Sequence, residues 1–96
     1  NQKNISYTVT KSSLIGLTKH LAVVFAKDNI RVNSTSFGGI ENKQSKDFIN
    51  KYSKNTPMGR LAKKNEFNGI INFLISDSSS YMTGSNIVID GGLTIV

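Results

Sequence analysis

The chain has 96 residues, 38% of them hydrophobic, no cysteine and a formal net charge of +6, which suits one small globular domain rather than a disordered chain. Disulfides and Cys-bound zinc are excluded, and no apolar run reaches the ~18 residues of a membrane span or forms the core of a signal peptide, so a cytoplasmic protein without a membrane partner is expected. Aromatic residues do not alternate with the seven cations between Lys43 and Lys64, so base stacking on this segment, and hence a nucleic-acid partner, is not expected.

The first predicted elements are a long helix and a short strand. The helix covers about residues 7–27, and Asp28-Asn29 ends it because both residue types tolerate turn and left-handed conformations. Alternation of apolar and polar residues within 30–36 then predicts a strand of about four to six residues, which ends at Phe37. The apolar residues of the helix recur with the spacing of one helix face: Leu14, Leu17, Leu21, Val24 and Phe25.

Two further helices and a second strand follow a polar loop. Ser45 is the expected N-cap of a short helix that Pro57 closes. Asn65 is the expected N-cap of the next helix, with Glu66 in its first turn. The apolar arc of this helix is wide enough for burial on more than one side: Phe67, Ile70, Ile71, Phe73, Leu74 and Ile75. The β-branched run 87–89 predicts a strand covered on both faces, which is typical of parallel sheets.

The order helix, strand, small helix, helix, strand predicts an α/β fold. A strand–helix–strand unit implies a right-handed parallel crossover. Two parallel strands make a poor sheet and could not cover the apolar faces of both long helices. The chain is therefore expected to be the edge of a larger doubly wound parallel sheet, completed upstream or by another chain.

The predicted chemistry begins with Tyr7-x-x-x-Lys11 in the first helix. Residues four apart lie one turn apart on the same helix face. A nearby ammonium group favours the phenolate, which makes a tyrosine a usable general acid/base near neutral pH. An ordinary helix can contain such a pair by chance, so the pair indicates a catalytic site only together with the motifs around it.

The surrounding segments match one family in order and spacing. They are the residues after Tyr7, the strand at 30–36, the loop Phe37-Gly38-Gly39-Ile40, Pro57-Met58-Gly59-Arg60-Leu61, the stretch 76–84, and Val88-Ile89-Asp90-Gly91-Gly92. Together they resemble the short-chain dehydrogenase/reductase family from its catalytic helix onwards. The resemblance implies that residues 1–96 form a single C-terminal segment of an NAD(P)-binding Rossmann-type domain, without the N-terminal cofactor-binding half.

The resemblance also implies the roles of individual residues. Tyr7 and Lys11 would be catalytic: Tyr7 exchanges a proton with the substrate, and Lys11 lowers the proton affinity of that phenol and holds the nicotinamide ribose. Cofactor contacts are implied for both and for Gly38, Ile40 and Asn42, with the Ile40 backbone meeting the nicotinamide carboxamide. The implied enzyme is an NAD- or NADP-dependent oxidoreductase that moves a hydride between nicotinamide and a small carbonyl or alcohol substrate, as a homo-oligomer, dimer or tetramer.

Several features depart from the family pattern. Phe37 stands where the family has proline, and Asn42 stands where it often has threonine. The glycine-rich phosphate-binding turn has no match, so the 96-residue chain by itself is expected to be inactive. The alternative is a non-catalytic remnant or interaction fragment retained through subunit contacts. His20 is expected to be a surface residue, and no His/Asp/Glu cluster has metal-ligand spacing, so no metal site is predicted.

Overall fold

Residues 5–96 fold into three α-helices and a two-stranded parallel sheet. The structure is a computed structural model, and it describes residues 5–96. Its elements are α1 (Ile5–Phe25), β1 (Ser34–Phe37), α2 (Lys46–Asn55), α3 (Asn68–Ile75) and β2 (Asn86–Ile89), with short 3-10 turns at Ala26–Asp28, Asp77–Ser79 and Leu93–Ile95.

The sheet confirms the predicted α/β arrangement. β1 and β2 pair in parallel, from Ser34 opposite Asn86 to Phe37 opposite Ile89. The connection between them contains α2 and α3. This is the crossover that a parallel pair requires.

β1 begins later than the alternation of apolar residues predicts. The Val32 N–H donates to the Thr83 hydroxyl at 3.0 Å, and the Val32 carbonyl accepts from the Gly84 N–H at 2.7 Å. The segment before Ser34 therefore satisfies its backbone groups with the turn ahead of β2, not with a neighbouring strand. Sequence alternation shows which side chains face inward, but a strand also needs a partner along its whole length.

Arg31 joins the segment before β1 to the end of α3 and to the turn before β2. Its guanidinium donates to the carbonyl oxygens of Leu74 at 3.0 Å, Ser76 at 3.4 Å and Met82 at 3.2 Å. The last carbonyls of a helix have no intrahelical donor and carry partial negative charge, so a cation is favourable there. Arg31 thereby holds the end of α3 against the segment that leads into β1.

The starts of the two shorter helices differ in how well the sequence predicted them. Ser45 is confirmed as the N-cap of α2, because its hydroxyl accepts from the Phe48 N–H at 3.2 Å. The prediction that Asn65 caps α3 is wrong, since this helix begins at Asn68 after hydrogen-bonded turns. The physical reason lies in Glu66, whose carboxylate accepts from the Lys63 N–H at 2.8 Å and holds the chain in a turn.

The apolar side chains outnumber the places where this chain can bury them. Among residues 5–96, the buried ones are Thr18, Ala22, Thr56, Leu61, Phe67 and Ser79. The radius of gyration is 15.6 Å, against about 12.5 Å for a compact domain of this length. The strand of 87–89 was predicted to be covered on both faces, yet Val88 is 44% exposed. None of the helices in residues 5–96 is both long and apolar enough to cross a bilayer.

Candidate functional site

The residues that follow the two strands meet at one edge of the sheet, which we call the carboxyl edge and define as residues 38–42 and 90–92. Parallel strands end at the same edge, where α/β folds bind their ligands. The Gly38 N–H donates to the carbonyl of Ile89 at 2.9 Å. A Cβ at Gly38 would lie 2.9 Å from the Asp90 Cα. Glycine is therefore needed at 38 because two backbones come close together.

Tyr52 of α2 is bound to the same edge. The Gly39 N–H donates to the Tyr52 hydroxyl at 2.6 Å. A Cβ at Gly39 would lie 2.7 Å from Leu61 Cδ2 and 3.0 Å from Tyr52 Cζ. This contact was not among the predicted site residues, because sequence spacing carries no signal for a pairing across a folded loop.

The backbone of Ile40 is oriented by a short parallel bridge. Ile40 pairs with Ala62, whose carbonyl accepts from the Glu41 N–H at 2.8 Å and whose N–H donates to the Gly39 carbonyl at 2.9 Å. In this pattern the two hydrogen bonds to Ala62 are made by the Gly39 carbonyl and the Glu41 N–H, on either side of Ile40. The N–H and C=O of Ile40 itself therefore point away from Ala62 and can meet another group.

A primary carboxamide already lies on this loop. The Gln44 Nε2 group donates to the Ile40 carbonyl at 2.7 Å, and its Oε1 atom accepts from the Asn42 N–H at 2.7 Å. Lys43 has φ of 55°, which turns the chain so that Gln44 folds back. The loop thus offers an acceptor and a donor at the spacing of one carboxamide, the polar group of nicotinamide, so the residues present fit that part of a nicotinamide cofactor.

The charge of Lys11 on α1 acts on Asp90 of the carboxyl edge. Partial burial acts to raise the pKa of Asp90, but hydrogen bonds from Thr94 and Gly92 and the charge of Lys11 outweigh it and lower that pKa overall. The Gly92 and Thr94 N–H groups donate to the carboxylate at 2.9 and 3.1 Å. Lys11 is half-buried, and Tyr7, one turn earlier on α1, is 49% exposed.

Comparison with known proteins decides the family. Residues 1–94 match the family model described as enoyl-(acyl carrier protein) reductase. A short-chain dehydrogenase from Leptospira borgpetersenii, solved with bound NAD+, is 46% identical with a TM-score of 0.85. The match covers 92% of this chain and 35% of that one. The chain belongs to the short-chain dehydrogenase/reductase family.

Two curated relatives support the same family assignment. A tropinone reductase homolog of Arabidopsis thaliana is 38% identical over 95 residues, which are 93% of this chain and 35% of the relative. The 3-oxoacyl-[acyl-carrier-protein] reductase of Thermotoga maritima is 40% identical over 99 residues, which are 99% of this chain and 40% of the relative. The chain therefore spans well under half of the length of these relatives, and the two-stranded sheet is confirmed as part of a Rossmann-type fold.

One departure from the family pattern has a structural explanation. Phe37, at the end of β1, stacks on Phe67 with ring centroids 4.0 Å apart and an interplanar angle of 18°. Phe67 is only 4% exposed. The aromatic side chain therefore contributes to the small core beneath the carboxyl edge, where proline would have fixed only the backbone.

A small pocket opens beside the carboxyl edge. Its volume is about 110 Å³, and Gly38, Gly39, Tyr52, Arg60, Glu66 and Asp90 are among its lining residues. This is below the ~300 Å³ at which ligand pockets usually begin, so by itself it could hold only a small group. Arg60 and Glu66 pair at its mouth at 2.6 and 3.0 Å. The hydrogen bond from Arg60 is the main cause that lowers the pKa of Glu66 to about 2.

The predicted site residues thus fall into two groups. Gly38, Ile40 and Asn42 lie together at the carboxyl edge, and Lys11 is near enough to influence Asp90 there. The catalytic and cofactor roles of these residues and of Tyr7 stay predictions. Within residues 5–96, no three His, Asp or Glu side chains gather as a metal site.

Proposed function

We propose that this chain is the C-terminal part of an NAD(P)-dependent short-chain dehydrogenase/reductase whose acid–base pair is Tyr7 and Lys11. The observation that carries the proposal is the loop at Ile40, whose N–H and C=O point away from Ala62. The charge of Lys11 acts on Asp90 at the same edge. In this proposal the catalytic groups of α1 and the binding groups of the loop serve one site, as a transfer between cofactor and substrate requires.

Each residue has a separate task in this proposal. Tyr7 donates a proton to the carbonyl oxygen of the substrate or takes one from its hydroxyl, as a general acid/base. Lys11 holds the ribose hydroxyls and places a positive charge one helical turn from Tyr7. The Ile40 backbone, with Asn42 beside it, holds the carboxamide, and Gly38 keeps the loop close to the sheet. The nicotinamide cofactor supplies the hydride acceptor or donor.

Different observations support the proposed cofactor and the proposed homo-oligomer. The NAD+ named for the Leptospira borgpetersenii structure supports a nicotinamide cofactor, NAD or NADP, for the whole protein. The glycine-rich turn that binds pyrophosphate has no match in this sequence, so the isolated chain is inactive. Exposed apolar residues on α1, such as Leu17 at 53%, support a homo-oligomer. The substrate class is a small carbonyl or alcohol compound.

The decisive experiment replaces Tyr7 by phenylalanine in the full-length protein that carries this chain. Tyr7→Phe removes one hydroxyl and keeps the ring, so turnover should fall roughly 10²- to 10⁴-fold. Lys11→Met should lower turnover and also raise the KM for the cofactor, because the ribose contact is lost as well. Steady-state kinetics with each cofactor measures both effects.

Tyr81→Phe is the matched control, because Tyr81 is fully exposed and should tolerate loss of its hydroxyl. A Tyr7→Phe protein with nearly full activity would show that the catalytic assignment is wrong. A full-length protein that binds neither NAD nor NADP would instead favour the non-catalytic remnant.

A further inference from the structure

We infer that Gln44 is an internal competitor of the nicotinamide carboxamide, and that it must leave the Ile40 loop before the cofactor can bind there. This inference rests on the proposed function. It starts from the two 2.7 Å hydrogen bonds that the Gln44 side chain makes to the Ile40 carbonyl and the Asn42 N–H. A glutamine side chain and nicotinamide carry the same primary carboxamide, with one acceptor oxygen and one NH₂ donor.

The hydrogen bonds fix the orientation of this side chain. Only its NH₂ group can donate to the Ile40 carbonyl, and only its oxygen can accept from the Asn42 N–H. Both partners are main-chain groups of the loop that the family resemblance assigns to the cofactor. Lys43, at φ of 55°, provides the reversal of chain direction that brings Gln44 back over the loop.

The two occupants compete for the same backbone groups of the loop. The Asn42 N–H has a single hydrogen, and while the Gln44 oxygen holds it, no ligand oxygen can accept from it. One lone pair of the Ile40 carbonyl is likewise taken by the Gln44 NH₂ group. Gln44 lies in a loop between the β-bridge and α2 and is only half-buried, so it can swing out without opening a core.

This competition lowers the apparent affinity for the intact cofactor. A site that is open only part of the time has an apparent Kd equal to the intrinsic Kd divided by the open fraction. The effect applies to ligands that carry the carboxamide. It does not apply to ADP-ribose, which has the same pyrophosphate and both riboses but lacks nicotinamide.

The experiment is a calorimetric titration of the full-length protein with NAD+ and with ADP-ribose, repeated for Gln44→Ala. An intramolecular hydrogen bond shifts an equilibrium by only a few-fold, so Gln44→Ala should lower the Kd for NAD+ by about three- to tenfold. The Kd for ADP-ribose should not change. If the protein prefers NADP+, the same pair of titrations uses NADP+ and 2′-phospho-ADP-ribose.

Two further variants sharpen the test. Gln44→Asn keeps the amide but is one methylene shorter, so it cannot reach both partners and should behave as Gln44→Ala does. Asn50→Ala, at an exposed position of α2, should bind both ligands as the parent protein does. In NMR spectra of the apoprotein, the signals of the Gln44 NH₂ group should shift on addition of NAD+ and stay in place with ADP-ribose.

The outcomes are distinguishable. Unchanged or weaker NAD+ binding by Gln44→Ala would overturn the inference and would show that Gln44 only stabilises the turn. Equal tightening for both ligands would also overturn it, because the effect would not depend on the carboxamide. If the parent protein binds neither ligand, the proposed function fails and the inference fails with it.

Discussion

The carboxyl edge packs against other residues of this chain, whereas α1 leaves large apolar side chains exposed. At the carboxyl edge, glycine backbones pack against Tyr52 and Leu61, and Leu61 is only 3% exposed. On α1, the residues that pack inward are Thr18 and Ala22, while Leu17 is 53% exposed. The packing of the carboxyl edge therefore uses partners within this chain, whereas α1 presents an apolar surface that needs a neighbour.

The difference follows from where each region finds its partners. The turns around Gly38 and Asp90 contact each other because the two parallel strands end together, so both sides of that contact are in the chain. A helix beside a two-stranded sheet can cover only one face. The remaining apolar stripe of α1 would stay in contact with water, and surfaces of this kind mark sites of association.

The largest expected effect concerns the stripe on α1. Leu14 and Leu17 are 43% and 53% exposed, and burying a leucine contributes about 1.5–3 kcal/mol. The 96-residue chain should therefore self-associate, and a Leu14→Lys/Leu17→Lys variant should weaken that association by roughly 10²- to 10³-fold, about 3–4 kcal/mol. Light scattering over a concentration series measures the change in mass.

The control for charge is Ser12→Lys, at an exposed position of α1 outside the leucine stripe. It should leave the association intact. If the parent chain unfolds cooperatively and remains strictly monomeric at high concentration, α1 needs no partner. The contrast drawn between the two regions would then be wrong.

An intermediate effect comes from paired glycine substitutions, one in each region. Gly39→Ala should lower the free energy of unfolding by about 1–3 kcal/mol, because the new Cβ would meet Leu61 at 2.7 Å. Gly16→Ala, in α1 with nothing within 4 Å of the new Cβ, should raise it by roughly 0.5–1 kcal/mol through helix propensity. Urea denaturation of both variants gives the two values.

The same pair can sharpen the comparison in the full-length protein. If Gly16→Ala is destabilising there but stabilising in the 96-residue chain, another segment packs closely against α1 at that point. A neutral Gly39→Ala would mean that the Leu61 and Tyr52 side chains can move aside, contrary to the close packing described for the carboxyl edge.

The smallest effect concerns pH and the ion pair beside the carboxyl edge. Pairing with Arg60 lowers the pKa of Glu66 from 4.5 to about 2. Because the pKa is lower in the folded state, the stabilisation is fully present above about pH 5 and is lost as the pH falls towards 2. Both side chains are exposed, and exposed pairs contribute little.

Thermal unfolding between pH 7 and pH 2 tests this prediction. The parent protein should lose more stability than Glu66→Gln does between about pH 5 and pH 2, and high salt should reduce the difference. Asp28→Asn, at an exposed position outside the pair, serves as the control. Parallel pH profiles for the parent and Glu66→Gln would show that the pair is not formed in solution.

Much of the fold was predictable because it depends on local spacing. The periodicity of apolar residues predicted the three helices, Ser45 was correctly placed as an N-cap, and the β-branched run at 87–89 predicted β2. These features involve residues within a few positions of one another, where propensity and capping operate. The family resemblance, carried by short motifs, also needed only the sequence.

The remaining features were decided by contacts between residues far apart in the chain. β1 starts at Ser34 because its partner strand starts at Asn86, and the apolar alternation before it could not show this. α1 packs through Thr18 and Ala22 because only one of its faces meets the sheet. Likewise, the hydrogen bond from Gly39 to Tyr52 depends on the path of the intervening loop. Sequence periodicity determines what a segment can form, whereas the partners available in three dimensions determine where it begins and which face is buried.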